Sequence, residues 1–457
     1  MNFVSFISTV NGFVWGPYML VLLVGTGVFL TIRLGFLQFS SLPYALKQIF
    51  FRNHEKKAKG DITPFQALMT ALSATIGTGN IVGVGTAFVI GGPGAIFWMW
   101  LTALFGMATT YSEAVLAVKY RTIDGKGNMA GGPMYYLEKG VKSKWLGIAF
   151  AAFAVCASYG IGNMAQTNSI AEATHATFGI SPVVSGVVIA FFVAIVILGG
   201  IKSIGRVTGV VVPVMAVFYI SCGIIILLLH LDMILPAFKI VFTNAFSGTA
   251  AVGGALGTVI RYGVARGVFS NEAGLGSASI AAAAAKTDYA GRQGLVAMTG
   301  TFIDTIIVCT ITGLVLTIAT IAPEVQGVVV GLNGATRTVA SFHGLAPYGI
   351  GKYVVTIGLI FFAYSTVLGW SYYGDRCFEY IFGEKTVIYY RWSFVIVAFI
   401  GAIAKLDVVW NIADTFNGCM AIPNLIGLLF LSGVVVSETK VFNAVRKKEI
   451  KKKRNKA

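Results

Sequence analysis

The chain has 457 residues, of which 56% are hydrophobic and 11% charged, with a mean hydropathy of +0.80. Such values belong to polytopic membrane proteins and exclude a soluble globular domain. The formal charge of +16 invites a nucleic-acid partner, but basic residues in a membrane protein are first explained by topology.

Apolar runs of bilayer-spanning length, about 17–25 residues, recur eleven times: 14–36, 63–90, 94–119, 145–178, 183–201, 206–230, 251–285, 292–320, 346–372, 389–404 and 406–436. The first lacks a basic leader and a small-residue cleavage site, so it reads as a retained helix. Between the first two runs, Leu42–Phe51 is amphipathic, as is Met134–Val141 further on. Each is either an interfacial helix or a short loop helix packed on the protein.

The second run is interrupted near mid-depth by Gly77-Thr78-Gly79-Asn80. Glycine lets a helix unwind cheaply, which frees N–H groups on one half and C=O groups on the other. A carboxylate suits the first and a small cation the second. Ser73, Thr75, Thr78 and Asn80 add oxygen ligands. The competing reading is close helix packing, since Gly79 and Gly83 also form a small-residue pair.

In the fourth run, Gln166 lies near Asn163 and Asn168 and either meets a ligand or bonds between helices. The seventh run contains Arg261 to Ser277, a charged, glycine-rich stretch with a second break at Gly267–Gly276. Broken backbone survives in a membrane only where protein buries it or a wet cavity lines it, and ionisable groups at that depth are functional by default. Phe269, Ser270 and Asn271 lie within this stretch. Glu272 faces a substrate amine, contacts an ion, or pairs with Arg266 or Arg261. Asp304 in the eighth run has no evident partner. The segment Glu324–Gly344 is either a lid or a packed loop.

With the N-terminus outside, 28 of the 34 Lys and Arg fall on inside segments, as the positive-inside rule predicts for an N-out, C-in chain with an odd number of spans. The basic tail Arg446–Arg454 is then a topogenic and lipid-headgroup feature. Once the first helix is set aside, spans 2–6 and 7–11 form two blocks of five, each opening on a broken helix. Five is odd, so the blocks enter the membrane in opposite directions, the mark of an inverted repeat with its binding site at the breaks. The expected divisions are 1–62, a first repeat 63–230, an extracellular connector 231–250, a second repeat 251–436 and a cytoplasmic tail 437–457.

Two strings carry a family resemblance. Gly91-Gly-Pro-Gly-Ala-Ile-Phe-Trp-Met-Trp-Leu-Thr-Ala-Leu-Phe-Gly106 resembles the signature of the alanine or glycine:cation symporters, and Arg266-Gly-Val-Phe-Ser-Asn-Glu-Ala-Gly-Leu-Gly276 resembles their broken-helix segment. The resemblance spans about Gly12 to Val436. It implies a LeuT-type all-α membrane fold of eleven helices, alanine or glycine as substrate, sodium as coupling ion and no other cofactor, in a cell membrane. On that pattern the amides of Gly77, Thr78, Gly79 and Asn80 hold the substrate carboxylate. Ser365 and Thr366, with carbonyls of Ser73, Ile76 and Phe362, make a sodium site of hard oxygen ligands, unless the two hydroxyls merely bond back to their own helix. Gln166, Thr75, Ser270, Asn271 and Glu272 join the substrate site, and Phe269 and Trp370 restrict it to small side chains.

The sixth span lacks a central lysine that some relatives use in place of sodium, which favours sodium; proton coupling through Glu272 or Asp304 is the alternative. A channel would need repeated polar rings, which are absent. Hydrolase, zinc-protease and Walker motifs are absent too, and the five cysteines lack metal spacing. The expectation is a transporter, not an enzyme.

Overall fold

The computed structural model describes residues 3–50, 58–247, 256–405 and 407–454. The chain opens with α1 (Phe3–Val14), α2 (Pro17–Arg33) and α3 (Leu37–Phe50), then the broken segment: α4 (Pro64–Thr75), a π-helical turn at Gly79–Gly83 and α5 (Val84–Gly91). Next come α6 (Ala95–Lys119), a ribbon of β1 (Thr122–Ile123) antiparallel to β2 (Met129–Ala130), and α7 (Pro133–Lys139). α8 (Lys144–Tyr159) passes through a π turn at Gly160–Met164 into α9 (Ala165–Phe178), followed by α10 (Pro182–Ile197), α11 (Gly200–Leu229) and α12 (Leu231–Ser247).

The second half has α13 (Leu256–Asn271), α14 (Ala278–Ala283), α15 (Ala290–Thr301), a π segment at Phe302–Cys309 and α16 (Thr310–Ala319). Then follow α17 (Gln326–Val329), α18 (Gly334–Leu345), α19 (Gly351–Phe382), α20 (Val387–Ile403), α21 (Asp407–Phe430) and α22 (Ser432–Arg454).

Among the described residues, eight helices are long and apolar enough to cross a membrane, and the α4/α5 pair, bent by 50°, makes a ninth. The 16-residue α10 and the α13/α14 pair occupy the other two apolar runs. Local chemistry sets many boundaries. Proline sits at the first position of α2, α4, α7 and α10, where its missing N–H costs nothing. Thr63 caps α4 reciprocally: its hydroxyl accepts from Gln66 N at 3.2 Å, and its N–H donates to Gln66 Oε1 at 3.0 Å.

Of the amphipathic pieces, the first is helical in α3 as far as Phe50, Phe51 lying outside the described residues, and the second is helical in α7 as far as Lys139. The connector 231–250 holds α12, the segment 324–344 holds α17 and α18, and the tail is helical through Arg454. Two boundaries differ from expectation. α19 runs on to Phe382 instead of ending near 372, because its polar residues are neutralised in place: Arg376 pairs with Asp124 at 3.0 Å and Glu379 at 2.7 Å, and Asp375 pairs with Arg391 at 2.6 Å. The second break is narrower than Gly267–Gly276. α13 continues through Gly267, where a Cβ would collide with Thr102 Oγ1; this glycine serves close packing, and the chain leaves the helix only after Asn271.

Counterparts in the two blocks lie against each other: α5 against α13, α6 against α15, α8 against α19 and α10 against α20. Outward faces of α10 and α11 remain apolar and exposed, with Val187, Phe191, Val210 and Val214, as lipid contact requires. At one end the two broken helices are tied together. Arg121 donates to the carbonyls of Ala283 (3.0 Å), Ala285 (2.7 Å), Thr287 (2.9 Å) and Lys59 (3.0 Å), while Ile62 pairs in parallel with Ala285. An arginine thereby satisfies the open carbonyls after α14 and holds the start of α4 beside them.

Candidate functional site

The two breaks meet. α4 ends at Thr75, and Ile76 takes an extended conformation (φ −76°, ψ 92°), so carbonyls before it lose their helical partners. In the second break Glu272, Gly274 and Gly276 all have positive φ (57°, 93° and 88°), a region that costs a non-glycine residue about 1–2 kcal/mol. Such strain persists at Glu272 because neighbours hold it. A Cβ on Gly79 would lie 3.3 Å from Ser270 Cα and 3.4 Å from Phe269 Cδ1, so a bare backbone is what lets the breaks approach. A Cβ on Gly77 would collide with Thr366 Oγ1.

Between the breaks lies a small, tight cavity lined by Ala74, Thr75, Gly77, Gly79, Ile161, Gln166, Phe269, Glu272, Thr366, Trp370 and Asn417. Seven of the residues expected to bind substrate are in this lining. Thr78, Asn80, Ser270 and Asn271 are not; they form the layer behind it. Gln166 joins α9 to the first break, accepting from Thr78 N at 3.4 Å and donating to Thr78 Oγ1 and Ile161 O, each at 3.1 Å. Trp370 packs flat against Gly162, where a Cβ would collide with the indole. Its indole lies near the Glu272 carboxylate, which accepts from Ser277 Oγ at 2.5 Å.

The arginine partners considered for Glu272 are engaged elsewhere. Arg266 lies over the Phe269 ring, 5.4 Å from its centroid, and faces Asp414. Arg261 reaches Gly12 O at 3.5 Å. Helix geometry explains this: α13 ends at Asn271 and Glu272 adopts left-handed backbone, so the carboxylate turns away from the face carrying Arg266.

Beside the cavity, all five residues expected at the ion site converge. Ser365 Oγ lies 3.3 Å from Ser73 O and 2.9 Å from Phe362 O, and Thr366 Oγ1 lies 3.4 Å from Ile76 O and 2.9 Å from Phe362 O. Each hydroxyl therefore bonds back to its own helix and reaches across to α4; the two readings of these residues coexist. Thr366 belongs to both places, since it also lines the cavity.

The layer behind the cavity gives Asp304 the partners that its sequence context hid. Its carboxylate accepts from Asn80 Nδ2 (2.7 Å), Ser270 Oγ (2.8 Å) and Thr305 Oγ1 (2.7 Å), joining the first break to the second. Asn80 Oδ1 in turn accepts from Gly77 N at 2.9 Å, and Asn271 Nδ2 donates to Thr305 Oγ1 at 3.1 Å. The expected free amides at Gly77 and Thr78 are thus occupied within the protein, one by Asn80 and one, weakly, by Gln166. Glu113, buried on α6, braces the second break by accepting from Gly274 N (3.0 Å) and Asn424 Nδ2 (2.7 Å).

Asn417 is the polar lining residue that sequence reasoning missed, beside the apolar Ala74 and Ile161. It is buried, and its Oδ1 has no hydrogen-bond partner among the described residues, which leaves an acceptor free in a residue that lines the cavity. The signal was available, since an amide inside an apolar run is the feature that singled out Gln166.

A family model described as the sodium:alanine symporter family matches residues 1–457. The sodium/alanine symporter AgcS of Methanococcus maripaludis is 64% identical over 455 residues, covering 99% of this chain and all of that protein. The amino-acid carrier protein AlsT of Bacillus subtilis is 35% identical, covering 97% and 93% of the two chains. Among solved structures, MhsT in complex with L-phenylalanine superposes with a TM-score of 0.57 at 13% identity, covering 84% of this chain and 99% of that one. That likeness establishes a LeuT-type fold.

Proposed function

Because the chain belongs to the sodium:alanine symporter family, and so is a multi-pass membrane transporter coupling amino-acid uptake to sodium, we propose that it carries alanine and glycine in the cavity between its two breaks. Thr366 carries this reading, because it lines the cavity and also belongs to the neighbouring oxygen cluster. Sodium held by Ser365, Thr366 and the carbonyls of Ser73, Ile76 and Phe362 would pin α19 to the end of α4. The same contact fixes Gly77 at the cavity wall. Ion and substrate then favour one arrangement together, and the coupling is reciprocal by thermodynamic necessity.

The substrate carboxylate takes the place of the Gln166 amide oxygen at Thr78 N, the weakest amide contact of the first break. Its ammonium donates to Asn417 Oδ1 and the Glu272 carboxylate. Phe269 and Trp370 both line the cavity and would exclude side chains larger than hydrogen or methyl. Carriage follows alternating access, with the cavity open outward, closed, then open inward.

The test is uptake of labelled alanine and glycine into proteoliposomes under inward gradients of sodium, potassium or protons, imposed separately. A sodium gradient should drive accumulation of both. Uptake indifferent to every gradient would sink the reading, and accumulation driven by protons alone would transfer coupling to the Glu272 carboxylate that lines the cavity.

A further inference from the structure

A cavity of about 160 Å³ lies where α10 gives way to α11 and α19 to α20, at the end of the helices that the charge count puts inside. Gly199, Gly200, Ile201 and Lys202, the start of the 30-residue α11, line it together with Arg376 of α19 and Arg391 of α20. The turn into α11 needs glycine, because Gly200 has φ 65°. Arg391 is fixed beside that turn by Asp375 at 2.6 Å and by the carbonyl of Leu198 at 3.3 Å.

Two independent observations point to an anion. α11 has no side-chain cap; the first N–H groups of a helix lack partners within it, and with the helix dipole they attract negative charge. Arg376 lines the same cavity, is only 8% exposed, and its Nε has no hydrogen-bond partner among the described residues, a costly state for a buried donor unless a ligand or water takes it. The acidic groups nearby are already paired. Asp124, Asp375 and Glu379 lie 3.0, 3.3 and 2.7 Å from the Arg376 guanidinium, and Glu384 lies 3.3 Å from Lys126. Lys202 and Arg206, exposed on α11, add positive charge that no salt bridge among the described residues takes up.

We propose that this cavity binds the headgroup phosphate of an anionic phospholipid from the inner leaflet. The surroundings select a lipid over free phosphate. α11 exposes Lys202, Arg206, Val210, Val214 and Val217 at steps of three or four residues, a single helical stripe that passes from basic to apolar. A phosphate held at the start of α11 therefore sets its acyl chains along the valines. Tyr389 and Trp392, exposed near the start of α20, are the amphipathic aromatics that settle at headgroup level. Basic pockets between helices at the cytoplasmic face suit such headgroups. The site shares no lining residue with the substrate cavity and is separate from the basic tail in α22. A bound lipid ties the α10–α11 turn to α19, the helix that bears Ser365 and Thr366.

The experiment places the full chain in phosphatidylcholine nanodiscs and measures binding of labelled phosphatidylglycerol as its mole fraction rises. Binding should saturate, and the melting temperature should rise with it. Lys202→Gln alters an exposed position with little risk to folding and should raise the half-saturating fraction about fivefold, the scale of one basic residue near an anionic surface. Lys448→Gln, exposed on α22, should leave it unchanged. Unaltered binding in Lys202→Gln, or equal weakening by both substitutions, would mean a diffuse attraction to the surface and overturn the site. Inorganic phosphate and glycerol 3-phosphate serve as soluble competitors. Neither should displace the labelled lipid at millimolar concentration; displacement by either would hand the cavity to a soluble anion and overturn the lipid assignment.

Discussion

Replacing Thr366 by Ala removes one hydroxyl from the proposed sodium site and leaves four oxygens: Ser365 Oγ and the carbonyls of Ser73, Ile76 and Phe362. The hydroxyl is buried, and water has little room to replace it. An interaction with a charged partner is worth about 1.5–3 kcal/mol, which corresponds to a rise in the sodium concentration for half-maximal uptake of roughly 10- to 100-fold. Folding should change much less. Alanine is a strong helix former, and the lost hydroxyl bonded its own helix through Phe362 O at 2.9 Å. The assay is a sodium titration of alanine uptake in proteoliposomes, with Thr366→Ser as the conservative partner that keeps the oxygen. Reciprocity adds a second readout: at low fixed sodium the alanine KM must rise too, and saturating sodium must restore it. A sodium titration superimposable on that of the unaltered protein would refute the placement of sodium at Thr366, whatever happens to the maximal rate.

Gly77→Ala should abolish most uptake and lower the melting temperature, because its Cβ collides with Thr366 Oγ1 and overpacking of this kind costs about 1–3 kcal/mol; wild-type uptake would mean that the break relaxes freely. Asn417→Leu removes the unpartnered acceptor of the cavity and should raise the alanine KM about tenfold, with the sodium titration at saturating alanine unchanged. Trp370→Ala opens the wall against Gly162, so competition assays should show larger neutral amino acids inhibiting alanine uptake; an unaltered inhibitor spectrum would remove Trp370 from the pocket.

Some features were legible in the residues because they are one-dimensional. Bilayer thickness sets the length of an apolar run, and the electrostatics of insertion biases basic residues, so the spans could be read without knowing what packs on what. Breaks are local as well: the glycines of Gly77–Asn80 and Gly267–Gly276 signal the backbone freedom that unwinding needs, although only folding showed that α13 runs through Gly267 and the second break begins after Asn271. The pairing of Ser365 and Thr366 with α4 carbonyls was expected only through family resemblance, since the partners lie almost 300 positions apart.

Folding supplied what depends on long-range approach. Asp304 had no visible partner along the chain, yet it joins Asn80 to Ser270, and Glu113 of α6 braces Gly274 from 161 positions away. Glu272 was placed near arginines by sequence spacing, whereas its left-handed backbone and the end of α13 turn it toward Ser277 and Trp370. Charged residues in α19 looked like the start of a loop until Asp124 and Arg391 arrived to neutralise them. Composition and periodicity record what each segment prefers next to lipid or water; which buried polar atom meets which partner is settled when helices from distant parts of the chain pack, because a hydrogen bond depends on an approach of about 3 Å that no local pattern encodes.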